Sequence, residues 1–450
     1  MIPVARIEEM QAIDKSASDS IDILIERAGS AVAKAALQQL KGSHGHNVVI
    51  LIGKGSNGAD GRFAAKQLAR QGINVEIIDA EKAPKKLPET DLVIDAAYGT
   101  GLRRPYNAPE TNSPVLAVDL PSGVDGKTGN CLGKPLRAER TITFNALKPG
   151  HLFSDGSCLA GDIEVADIGL DVSSLSCGLV TDDDIKQWIP SRPYNSHKWK
   201  SACWVIAGSK GMEGAASLAV SAAQRAGSGY VRFSSPDFEI PDLPLESVLF
   251  PINKDLHIDE SESQRFKAFV IGPGLGRSYS LSKSIQSLLE KLNCPVVVDG
   301  DGIHALESGK ISKCKDIILT PHDGEFEKLT GSLPDFDRID SVLKCAKSTG
   351  ATILLKGATS VVANPEGSVR IINNGDQRLA TAGSGDVLAG IIGAFLTRGA
   401  NPLDAAAAGA HVHGYLLNLL PKSGVIASDL IGCLYRAVND LGLDLDPKGD

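Results

Sequence analysis

The segment ATAGSGDVLAG, Ala380 to Gly390, sets one carboxylate, Asp386, directly behind Gly383, Ser384 and Gly385 and ahead of an apolar, helix-compatible run. A helix start carries free backbone N–H groups and a partial positive charge, and small residues let an anion approach them closely. The chemistry within reach is a phosphate cradle with a general base beside it, and the plain alternative is an ordinary helix cap. A second set of candidates lies in the first half of the chain. Asn57 and Asp60 sit in GKGSNGADG (Gly53 to Gly61), Asp95 opens DAAYGTGLRRP, and Asp119 opens DLPSGVDGKTG. Carboxylate and amide oxygens converging beside hydroxyls suit a hard monovalent cation, with a second carboxylate left free for acid–base work.

The glycines of GKGSNG also satisfy G-x-G-x-x-G, with Asp79 at the end of the next apolar run, which is the spacing of a nicotinamide-dinucleotide site. Asp60 counts against that reading. An acid expected in the first helical turn would share one small site with the cofactor's pyrophosphate.

These residues need a scaffold to bring them together. β-branched runs (NVVILIG, INVEIID, DLVIDAA, PVLAVDL, then ACWVIAG, AFVIG, PVVVDG, IILTP) alternate with Ala-rich stretches of helical period. That alternation predicts βαβ units and mostly parallel sheets covered on both faces, an α/β fold in both halves. The polar stretch around residues 172 to 182 marks a boundary and gives two domains, 1–178 and 179–450. In open parallel sheets the ligand crevice lies beyond the carboxyl ends of the strands. Asp95, Asp119, Gly208 with Ser209, Gly272 to Gly276, Asp299, and His322 with Glu325 all follow apolar runs.

Composition narrows the classes. The 450 residues carry a formal charge of −8 without a long basic run, which excludes a nucleic-acid or anionic-membrane surface as a leading reading. Eight cysteines with no C-x-x-C pair fit a reducing compartment rather than a disulfide or zinc scaffold. The first residues lack an apolar leader, and no apolar run reaches the roughly 18 residues of a membrane span, so a cytoplasmic protein is expected.

The motifs of the first half, read in order with TITFNALKPG and ADIGL, resemble the N-terminal domain of the NAD(P)H-hydrate epimerases over roughly residues 1 to 172. The resemblance implies a Rossmann-like, three-layer parallel-sheet domain. It also implies that Asn57, Asp95 and Ser122 hold potassium and that Asp119 is the acid–base group. Ser56, Asn57, Gly58, Ala59 and Asp60, together with Gly99, Thr100, Gly101, Leu102, Arg103, Arg104 and Pro105, would contact the substrate. Ser56 and Ala59 depart from the family's Asn and Gly.

From Ser196 to about residue 430, SHK, AGSKGMEGAA, GPGLG, VDGDG, LTPHDGEF, LKGATSVV and TAGSGDVLAG resemble the ADP-dependent NAD(P)H-hydrate dehydratases of the ribokinase-like superfamily, which have a three-layer α/β fold. On that resemblance Asp386 is the base, and the amides of Gly383, Ser384 and Gly385 form the anion hole. Lys356, Gly357, Ala358, Thr359, Ser360 and Gly385 would bind ADP, the phosphoryl donor, with magnesium. Ala215, Gly274 and His322 would contact the hydrate. Glu325 either holds a metal-bound water or caps a helix. Trp199 stands where the family has Gly and is expected to narrow or reshape that part of the site.

Together these readings imply a bifunctional repair enzyme, isomerase and lyase, acting on NADH and NADPH hydrates and expected to form a homo-oligomer. The rival reading is a ribokinase-like kinase of a vitamin precursor fused to a non-catalytic ligand-binding or protein-interaction module.

Overall fold

The computed structural model describes residues 1–42, 44–236, 243–306 and 316–443. The chain divides into two compact units, Ile2–Cys177 and Gly178–Asp450, the latter also taking Met1. Cys314 lies outside the described residues, and Cys131, Cys158, Cys203, Cys345 and Cys433 are free thiols. Among the described residues no helix is long and apolar enough to cross a membrane.

In the first unit a parallel sheet of six strands runs in the order β2-β1-β3-β4-β5-β6. The strands are β1 (Asn47–Ile52), β2 (Asn74–Asp79), β3 (Leu92–Ala96), β4 (Val115–Val118), β5 (Arg140–Phe144) and β6 (Asp162–Ala166). β1, β3 and β4 are buried almost throughout, as unbroken apolar runs in a parallel sheet should be. Helices α1 (Ile7–Ser16), α2 (Ile21–Leu40) and α3 (Ser56–Arg70) belong to this unit. α3 starts at Ser56 behind an extended Gly55, so Asp60 falls in the second turn rather than the first. Gly58 is demanded by space, since a Cβ there would sit 2.0 Å from the Gly53 carbonyl oxygen.

The second unit carries β7 (Ala202–Ile206), β8 (Tyr230–Ser234), β9 (Val248–Leu249), β10 (Ala268–Ile271), β11 (Val296–Val298), β12 (Ile317–Leu319), β13 (Thr352–Leu355), β14 (Ser360–Ala363) and β15 (Val369–Ile372). They lie in the order β15-β14-β13-β12-β11-β10-β7-β8-β9. Pairing is parallel from β13 through to β9, whereas β13–β14 and β14–β15 are antiparallel. The relevant helices are α4 (Glu213–Arg225), α5 (Asp323–Thr330), α6 (Ser384–Thr397) and α7 (Pro402–Tyr415). α6 is apolar on nearly every side and buried over most of its length, the pattern of a helix inside a core. It packs closely on α4 because Gly390 lacks a Cβ, which would stand 2.3 Å from the Ala219 carbonyl oxygen.

Trp199 does not stand free to narrow a site. Its ring stacks on Tyr230 at 4.3 Å, meets Phe266 edge-on at 5.7 Å, and carries the Arg265 guanidinium 4.1 Å above it. Burial of that much aromatic surface outweighs projection into solvent.

Candidate functional sites

In the first unit the strand ends open on a cavity of about 810 Å³. Ser56, Asn57, Asp60, the segment Gly99 to Arg104, Asp119 and Lys148 line it, with Asp14 from α1. Gly58, Ala59 and Pro105 are not among its walls. Asp119 caps β4 with φ +66°, a left-handed conformation uncommon for a residue with a side chain. His151 stabilises that turn. Its Nδ1 accepts from the Lys148 amide at 2.9 Å, so its proton is on Nε2, which donates to the Asp119 carbonyl at 2.6 Å. Burial pushes the His151 imidazole down to about 4, with the Lys148 ammonium acting in the same direction, so the ring is neutral at physiological pH.

The Asp119 carboxylate accepts from the buried Lys148 ammonium at 2.8 Å and from the Thr143 hydroxyl at 3.1 Å, and Lys148 also donates to Thr143 at 2.7 Å. Its other oxygen faces the Thr100 amide at 3.4 Å. Gly99 makes room for that oxygen, because a Cβ at Gly99 would lie 2.8 Å from it. Burial raises Asp119, but the ammonium charge and hydrogen bond of Lys148 outweigh it and hold the carboxyl below its ordinary value. Asp60 has the opposite fate. Burial first and the Asp119 charge second push it up to about 8.

Lys148, Thr143, His151 and Asp14 carry no role in the sequence reading. The signal is present in TITFNALKPG, whose Thr143 and Lys148 become neighbours of Asp119 once β4 and β5 pair with Val118 opposite Ile142. Lys148→Met should leave the buried Asp119 carboxylate unpaired, at a cost of about 3 kcal/mol in stability. Denaturant unfolding of the full chain reads this in the transition of the first unit, and a loss below about 1 kcal/mol would remove the pair from the forces holding that site.

Asn57, Asp95 and Ser122 also converge. Asp95 is fully buried and accepts from the Ser122 hydroxyl at 2.6 Å and the Ser122 amide at 2.8 Å. Burial raises its carboxyl, and the two Ser122 hydrogen bonds work against that. Among the described residues no side-chain cation pairs with it, and no group of three His, Cys, Asp or Glu is placed to hold a metal ion. Asn57 donates its amide to the Val118 carbonyl at 2.9 Å, which leaves its side-chain oxygen available.

In the second unit, Gly383 caps the start of α6 in the left-handed conformation with φ +87°, and Asp386 is the third residue of the helix. The Ser384 hydroxyl donates to the Leu379 carbonyl at 2.6 Å, and its amide reaches the Thr381 carbonyl at 3.3 Å. Ser384 is therefore tied into the turn. The Lys356 ammonium, between Asp299 at 2.9 Å and Glu325 at 3.6 Å, stands beside this start, where a Cβ at Gly385 would be 3.4 Å from its Nζ. Burial pushes Asp386 up to about 7, the Asp299 charge adds to that, and Lys356 opposes it. Burial alone would lower Lys356, but Asp299 and Glu325 hold it above its ordinary value.

Glu325 has two duties. It accepts from the His322 amide at 2.9 Å, closing a capping box on α5, and its buried carboxylate also reaches Lys356. His322 is more than half exposed, and its Nδ1 accepts from the amides of Gly324 and Glu325, so its Nε2 bears the proton. The turn of Gly357, Ala358, Thr359 and Ser360 joins β13 to β14 and leaves Gly357 and Ala358 exposed. Ala215 and Gly274 adjoin each other, since a Cβ at Gly274 would meet that of Ala215 at 2.9 Å. Asp301 anchors the end of the same loop by accepting from the Gly276 amide at 2.9 Å.

Comparison with known proteins yields matches to both halves. The family model for NAD(P)H-hydrate dehydratase matches residues 203–434, and that for the YjeF-related protein N-terminus matches 21–87 and 76–150. The bifunctional NAD(P)H-hydrate repair enzyme of Salinibacter ruber is 32% identical over 522 residues, covering 96% of each chain. That of Mycobacterium leprae is 35% identical, covering 87% of this chain and 88% of its own. Among solved structures, the ADP/ATP-dependent NAD(P)H-hydrate dehydratase of Bacillus subtilis, co-crystallised with ATP and Mg²⁺, superposes with a TM-score of 0.51 at 28% identity. It covers 58% of this chain and 97% of its own.

Proposed function

The chain belongs to the bifunctional NAD(P)H-hydrate repair enzymes, and from that membership we propose that its first unit interconverts the two epimers of the hydrate while its second dehydrates one of them. The observation that carries the reading is the pair of strand-end and helix-start carboxylates in opposite electrostatic settings. Asp119 is held ionised by Lys148, and Asp386 is pushed up to about 7 at a helix start. The first suits proton transfer at a ring hydroxyl, and the second suits a general base for phosphoryl transfer.

In the second unit, Asp386 takes the proton of the hydrate's hydroxyl as that oxygen attacks the terminal phosphate of the nucleotide. The amides of Gly383 and Gly385 face the charge on the phosphate, whereas the Ser384 amide, expected beside them, is spent on the Thr381 carbonyl and Ser384 serves to hold the turn. Loss of phosphate together with a proton from the neighbouring ring carbon then restores the double bond of NAD(P)H, with AMP as the second product when ADP is the donor. The turn Lys356 to Ser360 and the Gly385 amide hold the nucleotide. Glu325 and Asp299, already balancing Lys356, supply the oxygen ligands through which magnesium would be held, and the ion would neutralise phosphate charge.

In the first unit, Asn57, Asp95 and Ser122 would hold potassium. Asp95, a buried carboxylate that no side-chain cation among the described residues pairs with, fits such an ion, which would supply a fixed positive charge there. Gly99 to Arg104 would hold its phosphates.

We expect ADP to be the preferred phosphoryl donor. Initial rates of recovery of the dihydronicotinamide absorbance, measured with each nucleotide at saturation, decide this, and a clear advantage for ATP would overturn it. A stable phosphorylated product without recovery of NAD(P)H would favour the kinase reading instead.

A further inference from the structure

We propose that Asp60 is the proton donor of the first unit's site, handing its proton to the hydroxyl of the hydrated ring while Asp119 serves as the ionised partner that receives one. This rests on the epimerase reading of that unit and assigns it a second proton-transfer residue. Four carboxylates, Asp14 of α1, Asp19, Asp60 of α3 and Asp119 at the end of β4, line one cavity with one buried ammonium, Lys148, and Asp19 is paired with Arg27 at 2.8 Å. Lys148 is committed to Asp119 at 2.8 Å. Asp60 is only 6% exposed, and among the described residues no cation pairs with its carboxyl. A carboxyl so placed beside an anion keeps its proton at neutral pH, and burial with the Asp119 charge pushes it up to about 8. Two acids held in opposite protonation states in one cavity form an acid–base pair.

The step balances without a redox partner. The Asp60 proton goes to the hydroxyl oxygen, the carbon–oxygen bond breaks, and its electron pair leaves with water. The ring nitrogen's lone pair closes a carbon–nitrogen double bond. Water then adds to that carbon from the other face, the double-bond pair returns to nitrogen, and the surplus proton goes to Asp119. The carbon is inverted, one water is lost and one gained, and one proton has moved from Asp60 to Asp119. Proton exchange with solvent returns the pair to its starting states before the next turnover.

The test uses the full chain, a single purified epimer of NADPH hydrate, potassium buffer without nucleotide, and water enriched in ¹⁸O. Wild type should invert the substrate with one solvent oxygen incorporated per inversion. Asp60→Asn should lower kcat on the order of 10²- to 10⁴-fold with KM little changed, as loss of a general acid does. Asp60→Glu, which keeps a carboxyl group, should recover part of that rate. Inversion by wild type without label overturns the proposal, as does Asp60→Asn turnover within about threefold of wild type. Should Asn at this position unfold the first unit, the label result on wild type decides. A wild-type chain that does not accelerate interconversion at all overturns the epimerase reading itself.

Discussion

Asp386→Asn stops dehydration and leaves nucleotide binding nearly intact. The amide keeps the shape of the carboxylate at the third residue of α6 but cannot accept the hydroxyl proton, and loss of a general base costs on the order of 10² to 10⁴ in rate. The same carboxyl sets a pH profile. Burial and Asp299 push it up to about 7, so the basic form is gained as pH rises through that value, and dehydration should climb from the acid side and level above it. Stability runs the other way. Between its ordinary value of 3.8 and about 7 the folded chain holds the Asp386 proton that the unfolded chain has released, so this group destabilises the fold progressively as pH rises across that window. Asp386→Asn should therefore unfold at a higher temperature than wild type in neutral and mildly alkaline buffer. Near wild-type turnover in the variant removes Asp386 from its role, and an unchanged melting temperature removes the electrostatic account.

Asp119→Ala stops interconversion of the epimers while the second unit goes on dehydrating. With the full chain and excess ADP, a mixture of epimers should then be consumed only as far as the form the dehydratase accepts. The remainder should decay at its spontaneous rate. Truncation to Ala also leaves the Lys148 ammonium buried without its partner, so Asp119→Asn is the cleaner companion, keeping hydrogen bonds to Thr143 and Lys148 in reach. Complete consumption of both epimers by either variant, at the wild-type rate, would dismiss Asp119 as the acid–base group.

Much of this is legible in the sequence because open parallel sheets place chemistry at strand ends. Asp95, Asp119 and Asp299 stand directly behind their apolar runs, and Asp386 directly behind its glycines. Partnerships that depend on strand order are not legible. Lys148 and His151 lie far along the chain from Asp119 and reach it only because β5 pairs with β4. Asp14 sits on an N-terminal helix with no motif of its own. The pair β14–β15 is antiparallel, which departs from the mostly parallel sheet expected from the alternating runs. Its signal is local, a turn at Asn364 to Gly367 between two β-branched runs, closed by the Gly367 amide donating to the Asn364 carbonyl at 3.1 Å. Trp199 misleads because a bulky residue in place of Gly is weighed against the site alone, whereas Tyr230 and Phe266 offer it a packed face.

The left-handed Gly383 at the head of α6 has an evolutionary corollary. Every amino acid reachable by changing one base of a glycine codon adds a Cβ, and at this position that atom would stand 2.4 Å from the Leu218 side chain on a backbone with φ +87°. A saturation library sorted only for folded protein, with no demand for turnover, should already be depleted of replacements at codon 383. Invariance there would record the shape of the chain before it recorded any selection for repair.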